Sequence, residues 1–330
     1  MAFLMATLLT LMLCICVGSV VLPVGDTLQV LYRAVAGKPM DELAFASSII
    51  LSVRLPRVFC VALIGAALSV SGAAMQGLLK NPLADGSTLG VSSGASLGAV
   101  FALAFNIRIP GISGGSTMIM AVMGAFVSLL VILLLAYKLD SSLATNSIIL
   151  IGVIFSMFSN SISSLIITFA GDRIKTITFW TMGSLQDSSY RNAGILLITL
   201  TLCSLALLCH ATELNAFAIG EENARNIGVD VKRVKLTLLI CISILIGISV
   251  SISGTIAFVG LVTPHIVRMI VGANHKRLLP ASMFGGAVFL LLCDLAARTL
   301  LNPRELPIGV ITSFIGAIVF VIIFYSSRRR

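Results

Sequence analysis

The sequence contains one pattern typical of a nucleophilic serine, a GxSxG stretch at 90–94 around Ser92. In hydrolases this serine lies on a strained strand-to-helix turn and has a histidine base beside it. Here Ser92 lies in an uncharged apolar stretch, and His210, His265 and His275 are far apart in sequence with no metal-ligand spacing. We assign no catalytic residue and no metal ligand, and an intramembrane hydrolase is kept only as an alternative.

The patterns that bind phosphate or support redox chemistry are missing from the sequence. It contains no GxxxxGK[ST] pattern, so we do not expect the chain itself to hold ATP in a P-loop. The seven cysteines lie in apolar stretches and form no CxxC pair, which indicates packing rather than a metal or redox site. We therefore expect no cofactor in this chain.

The composition predicts that apolar helices form most of the chain and position its few polar residues. Of the 330 residues, 58% are hydrophobic and 11% are charged, against roughly 45–50% and about 25% in soluble domains. The uncharged stretches are long enough to cross a membrane, and the longest, 236–267, is interrupted at Ser253-Gly254. We predict an all-α polytopic membrane protein with a single domain, 1–330, of about ten transmembrane helices. The predicted spans are 1–25, 58–79, 86–107, 109–137, 141–171, 192–212, 236–252, 256–270, 278–293 and 306–327.

The charge distribution predicts the orientation of the chain. The net charge is +9, but basic residues are scattered between apolar stretches except at the C-terminal Arg328-Arg329-Arg330, which argues against nucleic-acid binding. An even number of helices places both termini on one side, and the basic residues of 225–235 favour the cytoplasm. The first 22 residues lack a basic n-region and are interpreted as the first helix, not a cleaved signal peptide. We expect a prokaryotic plasma (inner) membrane protein with both termini cytoplasmic.

Four glycines, Gly86, Gly90, Gly94 and Gly98, recur every four residues. On one helix they would form a bare face that allows a neighbouring backbone to approach closely. We interpret this face as a helix-packing surface, with a backbone-lined substrate path as the alternative.

Two connecting segments carry signals of their own. Segment 171–190 holds the only tryptophan, Trp180, and is interpreted as an external half-helix at the membrane interface. Segment 213–233 is the most charged part of the chain. Within it Leu214, Phe217 and Ala218 have helical spacing, and we predict two short helices, separated by Gly220 and ended by Gly228. Such helices would form a cytoplasmic docking surface, and a solvated loop is the alternative.

Ionisable residues are scarce in the predicted spans. Arg268 and Asp294 lie close to predicted helix ends, whereas ion-coupled carriers place such groups near mid-membrane. An ion-coupled secondary transporter is therefore the less favoured alternative. If this chain transports uphill, the energy is expected to come from another polypeptide.

Several motifs together resemble the FecCD family, the membrane permease subunits of ABC importers for iron–siderophore complexes, haem and cobalamin. They occur in the family's order between residue 54 and about residue 316. The motifs are Arg54-Leu55-Pro56-Arg57, Gly65-Ala66-Ala67-Leu68, Asn81-Pro82-Leu83-Ala84-Asp85, Trp180 with Gly183-Ser184-Leu185, Ala224 with Ile227-Gly228, Phe258-Val259-Gly260-Leu261 with Pro264-His265, and Glu305-Leu306-Pro307-Ile308-Gly309. The sequence departs from the family pattern at Gly86 and Ile318, where the family often has proline.

The resemblance implies a non-enzymatic, cobalamin-permease-like subunit that translocates an iron–siderophore or a haem- or cobalamin-like ligand. Its implied partners are a second permease copy or paralogue, two cytoplasmic ATPase subunits that carry ATP and Mg²⁺, and an extracytoplasmic substrate-binding protein. Segment 213–233 would be the ATPase-coupling element. The coupling residues implied are Gly220, Glu222, Ala224, Arg225 and Gly228, and the residues implied to dock the binding protein are Arg54, Arg57 and Arg298.

Overall fold

The computed structural model describes residues 2–20, 22–40, 43–86, 89–109, 115–140 and 144–328. Within these residues the regular structure is helical, as predicted. The helices are α1 Ala2–Cys16, α2 Val24–Ala36, α3 Ala44–Ile49, α4 Leu55–Leu78, α5 Val91–Ala104, α6 Gly115–Leu139, α7 Thr145–Thr168, α8 Ile174–Thr181, α9 Tyr190–Cys209, α10 Ala211–Ile219, α11 Glu221–Asn226, α12 Val231–Ser253, α13 Val259–Val271, α14 His275–Thr299 and α15 Ile308–Arg328.

In the described part of the chain, six helices are long and apolar enough to cross a membrane. They are the continuous helical stretch Ala44–Leu78, which joins α3 to α4 through a π-helical turn, and α6, α7, α9, α12 and α14. Shorter apolar helices are α1, α5, α13 and the first part of α15. Together they are consistent with the ten spans predicted. Large apolar side chains are exposed on α6, α7 and α9, as expected for helices that face lipid.

The helices alternate in direction and give the molecule two ends. At the α8 end, the C-terminus of α1 meets the start of α4, the α8–α9 connection and the α14–α15 connection, residues 300–307. At the opposite end, the α11 end, α10 and α11 lie against the first residues of α7, α12 and α14. Both α1 and α15 have their terminal ends at the α11 end.

The centre of the fold is α4, which is buried along nearly its whole length and packs against α9, α12, α13 and α14. Its glycines allow two neighbouring backbones to approach. A Cβ at Gly65 would overlap the carbonyl of Gly286 in α14, and one at Gly72 would overlap Gly260 in α13. In lipid, where apolar burial does not drive helix association, small residues at such contacts allow close packing.

The predicted four-glycine face is only half correct. Gly94 and Gly98 lie in α5 and pack closely against α6, where a Cβ at Gly94 would be 2.7 Å from the carbonyl oxygen of Gly124. Gly90 instead precedes α5 in a left-handed conformation (φ +72°), so the helix begins at Val91. Gly86 and Gly90 therefore do not share that helical face.

Of two further predicted boundaries, one is confirmed and the other is wrong. The break at Ser253-Gly254 is confirmed, since α12 ends at Ser253 and Gly254 has a φ of +70°. The first helix ends at Cys16, much earlier than the predicted residue 25. At this end, arginine side chains take the place of the next helical turn and bond the last carbonyls of α1, including those of Ile15 and Cys16.

The glycine contact between α4 and α14 gives a direct stability test. Gly65→Ala is expected to destabilise the protein by about 1–3 kcal/mol, because the added methyl group forces the two backbones apart. The matched control is Gly194→Ala in α9, where an added Cβ meets nothing within 4 Å; it should be neutral or stabilising by up to about 1 kcal/mol. Thermal unfolding of the detergent-purified variants measures both, and equal melting temperatures would contradict this packing.

Candidate functional site

The segment predicted to dock a partner folds into the two short helices α10 and α11. Gly220 separates them with a φ of +139°, and Gly228 follows α11 with a φ of +92°. Leu214 and Phe217 are fully buried beneath α10. Ala218, predicted on the same face, is exposed, and Ala216 is buried in its place. The segment is therefore a packed helical element, not the solvated loop of the alternative.

The outer surface of this element combines apolar and charged side chains. Ile219 and Ile227 are 74% and 70% exposed, and Glu222 and Arg225 are also exposed. Of the remaining residues implied by the resemblance, Gly228 is exposed, Gly220 is half-buried and Ala224 is fully buried beneath α11. Two large exposed apolar residues beside opposite charges are suited to a protein partner.

The α10–α11 element is bonded to three other helices. In α10, Asn215 Oδ1 accepts a hydrogen bond from the backbone N–H of His275 (2.9 Å) and lies 2.8 Å from its Nδ1, which joins α10 to the start of α14. In α11, Glu221 Oε2 bonds Lys235 Nζ of α12 at 2.7 Å, and Glu221 Oε1 accepts a hydrogen bond from Thr145 Oγ1 of α7 at 2.6 Å. No motif or spacing in the sequence indicates this role of Glu221.

The environment of Glu221 keeps its carboxylate charged. Burial alone would raise its pKa, but the hydrogen bonds from Lys235 and Thr145 and the nearby charges of Lys235 and Lys80 outweigh it, and the pKa is lowered. The Lys235 side chain is only 1% exposed, and the Glu221 carboxylate pairs with its charge. Removal of the Glu221 carboxylate would take away one countercharge of the buried Lys235.

A chamber of about 430 Å³ lies between α5, α7, α8 and the α12–α13 connection. Its polar lining consists mainly of hydroxyl and amide groups on two helices. These are Ser92, Ser93 and Ser96 of α5 and Asn160, Ser163 and Ser164 of α7. Among the described lining residues there is no histidine, so Ser92 has no base there. The lining is suited to hydrogen bonding with a polar ligand.

The three arginines that were implied to dock a binding protein are buried at the α8 end. Arg57 bonds Asp294 at 2.9 Å and Glu305 at 2.8 Å. Arg298 Nε lies 2.8 Å from the second oxygen of Asp294, an ion pair without hydrogen-bond geometry. Arg54 donates to the carbonyls of Ile15 and Cys16 at the end of α1 and to that of Val20 beyond it. Arg298 donates to the carbonyls of Cys14 and Val17. Arg54 and Arg298 thus bond the end of α1, and Arg57 and Arg298 enclose the fully buried carboxylate of Asp294.

This buried cluster gives the arginines internal partners in the free subunit. A direct role for Arg54, Arg57 and Arg298 in docking would require each of them to exchange these partners, so that role stays a prediction. Glu305 is the most accessible member at 19% exposed, and it also accepts a hydrogen bond from Gln186. Burial alone would raise the pKa of Glu305, but the hydrogen bond and charge of Arg57 outweigh it and lower the pKa.

The comparisons with known proteins place the chain in a family. A model of the FecCD transport family matches residues 6–326. The chain belongs to the FecCD transport family. The ABC transporter permease protein YvrB of Bacillus subtilis (strain 168) is 41% identical over 94% of this chain and 89% of YvrB. The vitamin B12 import system permease protein BtuC of Vibrio vulnificus (strain CMCP6) is 38% identical over 91% of this chain and 90% of BtuC.

A solved structure agrees with this placement across the whole fold. An inward-facing conformation of a metal-chelate type ABC transporter matches with a TM-score of 0.86 and 30% identity, covering 98% of both chains. The FecCD chain described here is therefore a multi-pass transmembrane permease subunit of an ABC importer, as predicted. ATP hydrolysis in such importers lies in separate subunits. The secondary-transporter and hydrolase alternatives are set aside.

The buried cluster at the α8 end generates a stability prediction. Asp294→Asn should destabilise the subunit by about 3–5 kcal/mol, because it leaves two buried arginines without their shared countercharge. Glu305→Gln, at the more exposed member, should cost clearly less because solvent screens Arg57 there. Thermal unfolding in detergent compares the two, and equal losses of stability would contradict the central position of Asp294.

Proposed function

We propose that this permease imports a metal chelate of the iron–siderophore, haem or cobalamin class, delivered by an extracytoplasmic binding protein. The likeness to the vitamin B12 permease BtuC and to the metal-chelate type transporter supports this ligand class. The assembly would contain a second permease copy or a paralogue, together with two ATPase subunits.

The α11 end would face the cytoplasm of a prokaryotic cell, which places both chain termini inside at the plasma (inner) membrane. The support is the basic residues concentrated there, which include Arg225, Lys232, Arg233, Lys276 and Arg277. The α8 end would then receive the binding protein from outside, and segment 171–190 would lie at the outer surface. Arg54, Arg57 and Arg298 would reach the binding protein only after exchange of their internal partners.

The α10–α11 element would couple the permease to ATP hydrolysis. Ile219 and Ile227 supply large exposed apolar contacts, and Glu222 and Arg225 supply charges of both signs beside them. Such a mixed surface is typical of an interface anchored by apolar side chains and oriented by charge. Gly220 and Gly228 set the turns that present this surface, and the buried Ala224 fixes α11 on the body of the subunit.

The chamber would form part of the translocation path. Its hydroxyl and amide groups offer hydrogen bonds to the polar periphery of a chelate, and Asp85 is the charged residue among its described lining. A lining of mostly neutral groups binds a passing ligand weakly enough for release, which transport requires. Movements of α5 and α7 would open the chamber toward either side in turn.

Recovery of the tagged chain from its native membranes in mild detergent, with its partners identified by mass, tests this function. We expect a stoichiometric partner that carries GxxxxGK[ST]. In the Gly228→Trp variant its recovery should fall about tenfold or more, equivalent to roughly 1.4 kcal/mol of association. The reason is that a bulky side chain would project into the interface from a position where an added Cβ meets nothing within 4 Å in the free subunit.

The matched control is Gly228→Ala. Both substitutions carry the same backbone cost at φ +92°, about 1–2 kcal/mol, so a difference between them reports only the bulk of the side chain. The Ala variant should retain the ATPase partner. A chain recovered alone or only with itself, or uptake of cyanocobalamin, haem or ferrichrome that follows an ion gradient and ignores ATP, would contradict the proposed function.

A further inference from the structure

Glu221 occupies an unusual position at the α11 end, because one carboxylate bonds two different helices. Its Oε2 bonds Lys235 of α12 at 2.7 Å, and its Oε1 accepts from Thr145 of α7 at 2.6 Å. Glu221 is the first residue of α11 and directly follows Gly220. One side chain of α11 is therefore bonded to both α7 and α12.

Both helices held by Glu221 continue to the chamber. Thr145 begins α7, which carries Asn160 and Ser163 in the chamber lining, and Lys235 lies in the first turns of α12, which carries Ile246. At 1.5 Å per residue, Thr145 and Asn160 lie about 22 Å apart along α7. A helix is a rigid element that can carry energetic coupling between its two ends.

The other half of the coupling element is attached elsewhere. In α10, Asn215 bonds His275 and Asn274 at the start of α14, a helix that is packed against α4 through the Gly65–Gly286 contact. Gly220 lies between these two attachments at a φ of +139°, which side chains rarely adopt. The two short helices thus have separate attachments: α10 to the packed centre, and α11 to the helices of the chamber.

We propose that Glu221 is the positioning residue that transmits movement of α11 to the chamber, through Thr145 to α7 and through Lys235 to α12. This inference rests on the proposed coupling role of α10 and α11. Glu221 acts at the inner face of α11, and the partner surface formed by Ile219, Glu222, Arg225 and Ile227 does not include it. Its loss should therefore separate ATP hydrolysis from the opening of the chamber.

The test uses the permease purified with its ATPase partner and reconstituted in nanodiscs. A cysteine introduced as Ser163→Cys reports access to the chamber through its rate of reaction with a water-soluble maleimide, and the chain with its native cysteines gives the background rate. ATP with vanadate should change the labelling rate in the parent complex. In Glu221→Gln the ATPase should remain bound and continue to hydrolyse ATP, while the nucleotide-dependent change in labelling falls at least about fivefold.

Variants of Thr145 separate transmission from a merely structural role. Thr145→Val removes the hydrogen bond to Glu221 but leaves the Glu221–Lys235 pair intact, and it should also reduce the nucleotide-dependent change in labelling. Thr145→Ser keeps the hydroxyl group and should restore the parent response. Lys276→Gln, which removes an exposed basic residue at the same end of the molecule, is the control for charge and should behave as the parent.

The possible failures are distinguishable. A parent response in both Glu221→Gln and Thr145→Val would overturn the proposal, and so would loss of the ATPase from Glu221→Gln, since that residue would then belong to the docking surface. If Glu221→Gln does not fold, Thr145→Val alone decides. A reduced nucleotide-dependent change in labelling would then support the proposal, and an unchanged one would overturn it. A parent complex that binds no ATPase, or whose labelling ignores ATP with vanadate, would contradict the proposed function itself.

Discussion

The close contact of helix backbones at glycine is the constraint on which the rest of this structure depends. In lipid the burial of apolar side chains gives no net preference for helix association, so close approach and polar contacts must supply it. Gly65 against Gly286 and Gly72 against Gly260 bring α14 and α13 onto α4. Because α12 also packs on α4, the backbone that lines the chamber is placed relative to this centre.

The two ends of the molecule use charge in different ways. At the α8 end, the fully buried Asp294 is enclosed by Arg57 and Arg298, an arrangement that favours one fixed geometry. At the α11 end, the carboxylate of Glu221 is 27% exposed and holds the buried Lys235 at the edge of a polar groove. The α8 end is therefore held by a fully buried ion cluster, and the α11 end by a more accessible ion pair.

The sequence predicts the helices well and the site only in part. Apolar stretches locate the spans, and Ser253-Gly254 and Gly220 mark real breaks, because these signals are local. The burial of Arg57 was not predictable, since its partner Asp294 lies 237 residues away in the chain. Glu221 and Thr145 are 76 residues apart, and without alignment or structure nothing distinguishes Glu221 from its neighbour Glu222. The resemblance to the family implied a coupling role for segment 213–233 and did not single out Glu221.

Site-directed cross-linking in native membranes can detect the proposed docking of a separate ATPase on α10 and α11. A maleimide-based photocross-linker attached at Ile227→Cys should capture a polypeptide that carries GxxxxGK[ST]. The same reagent at Val35→Cys, on the 92% exposed tip of α2 at the other end of the molecule, should not capture it. ATPase docking on α10 and α11 would be contradicted if the ATPase were captured from position 35 and not from position 227. It would also be contradicted if neither position captured a nucleotide-binding partner.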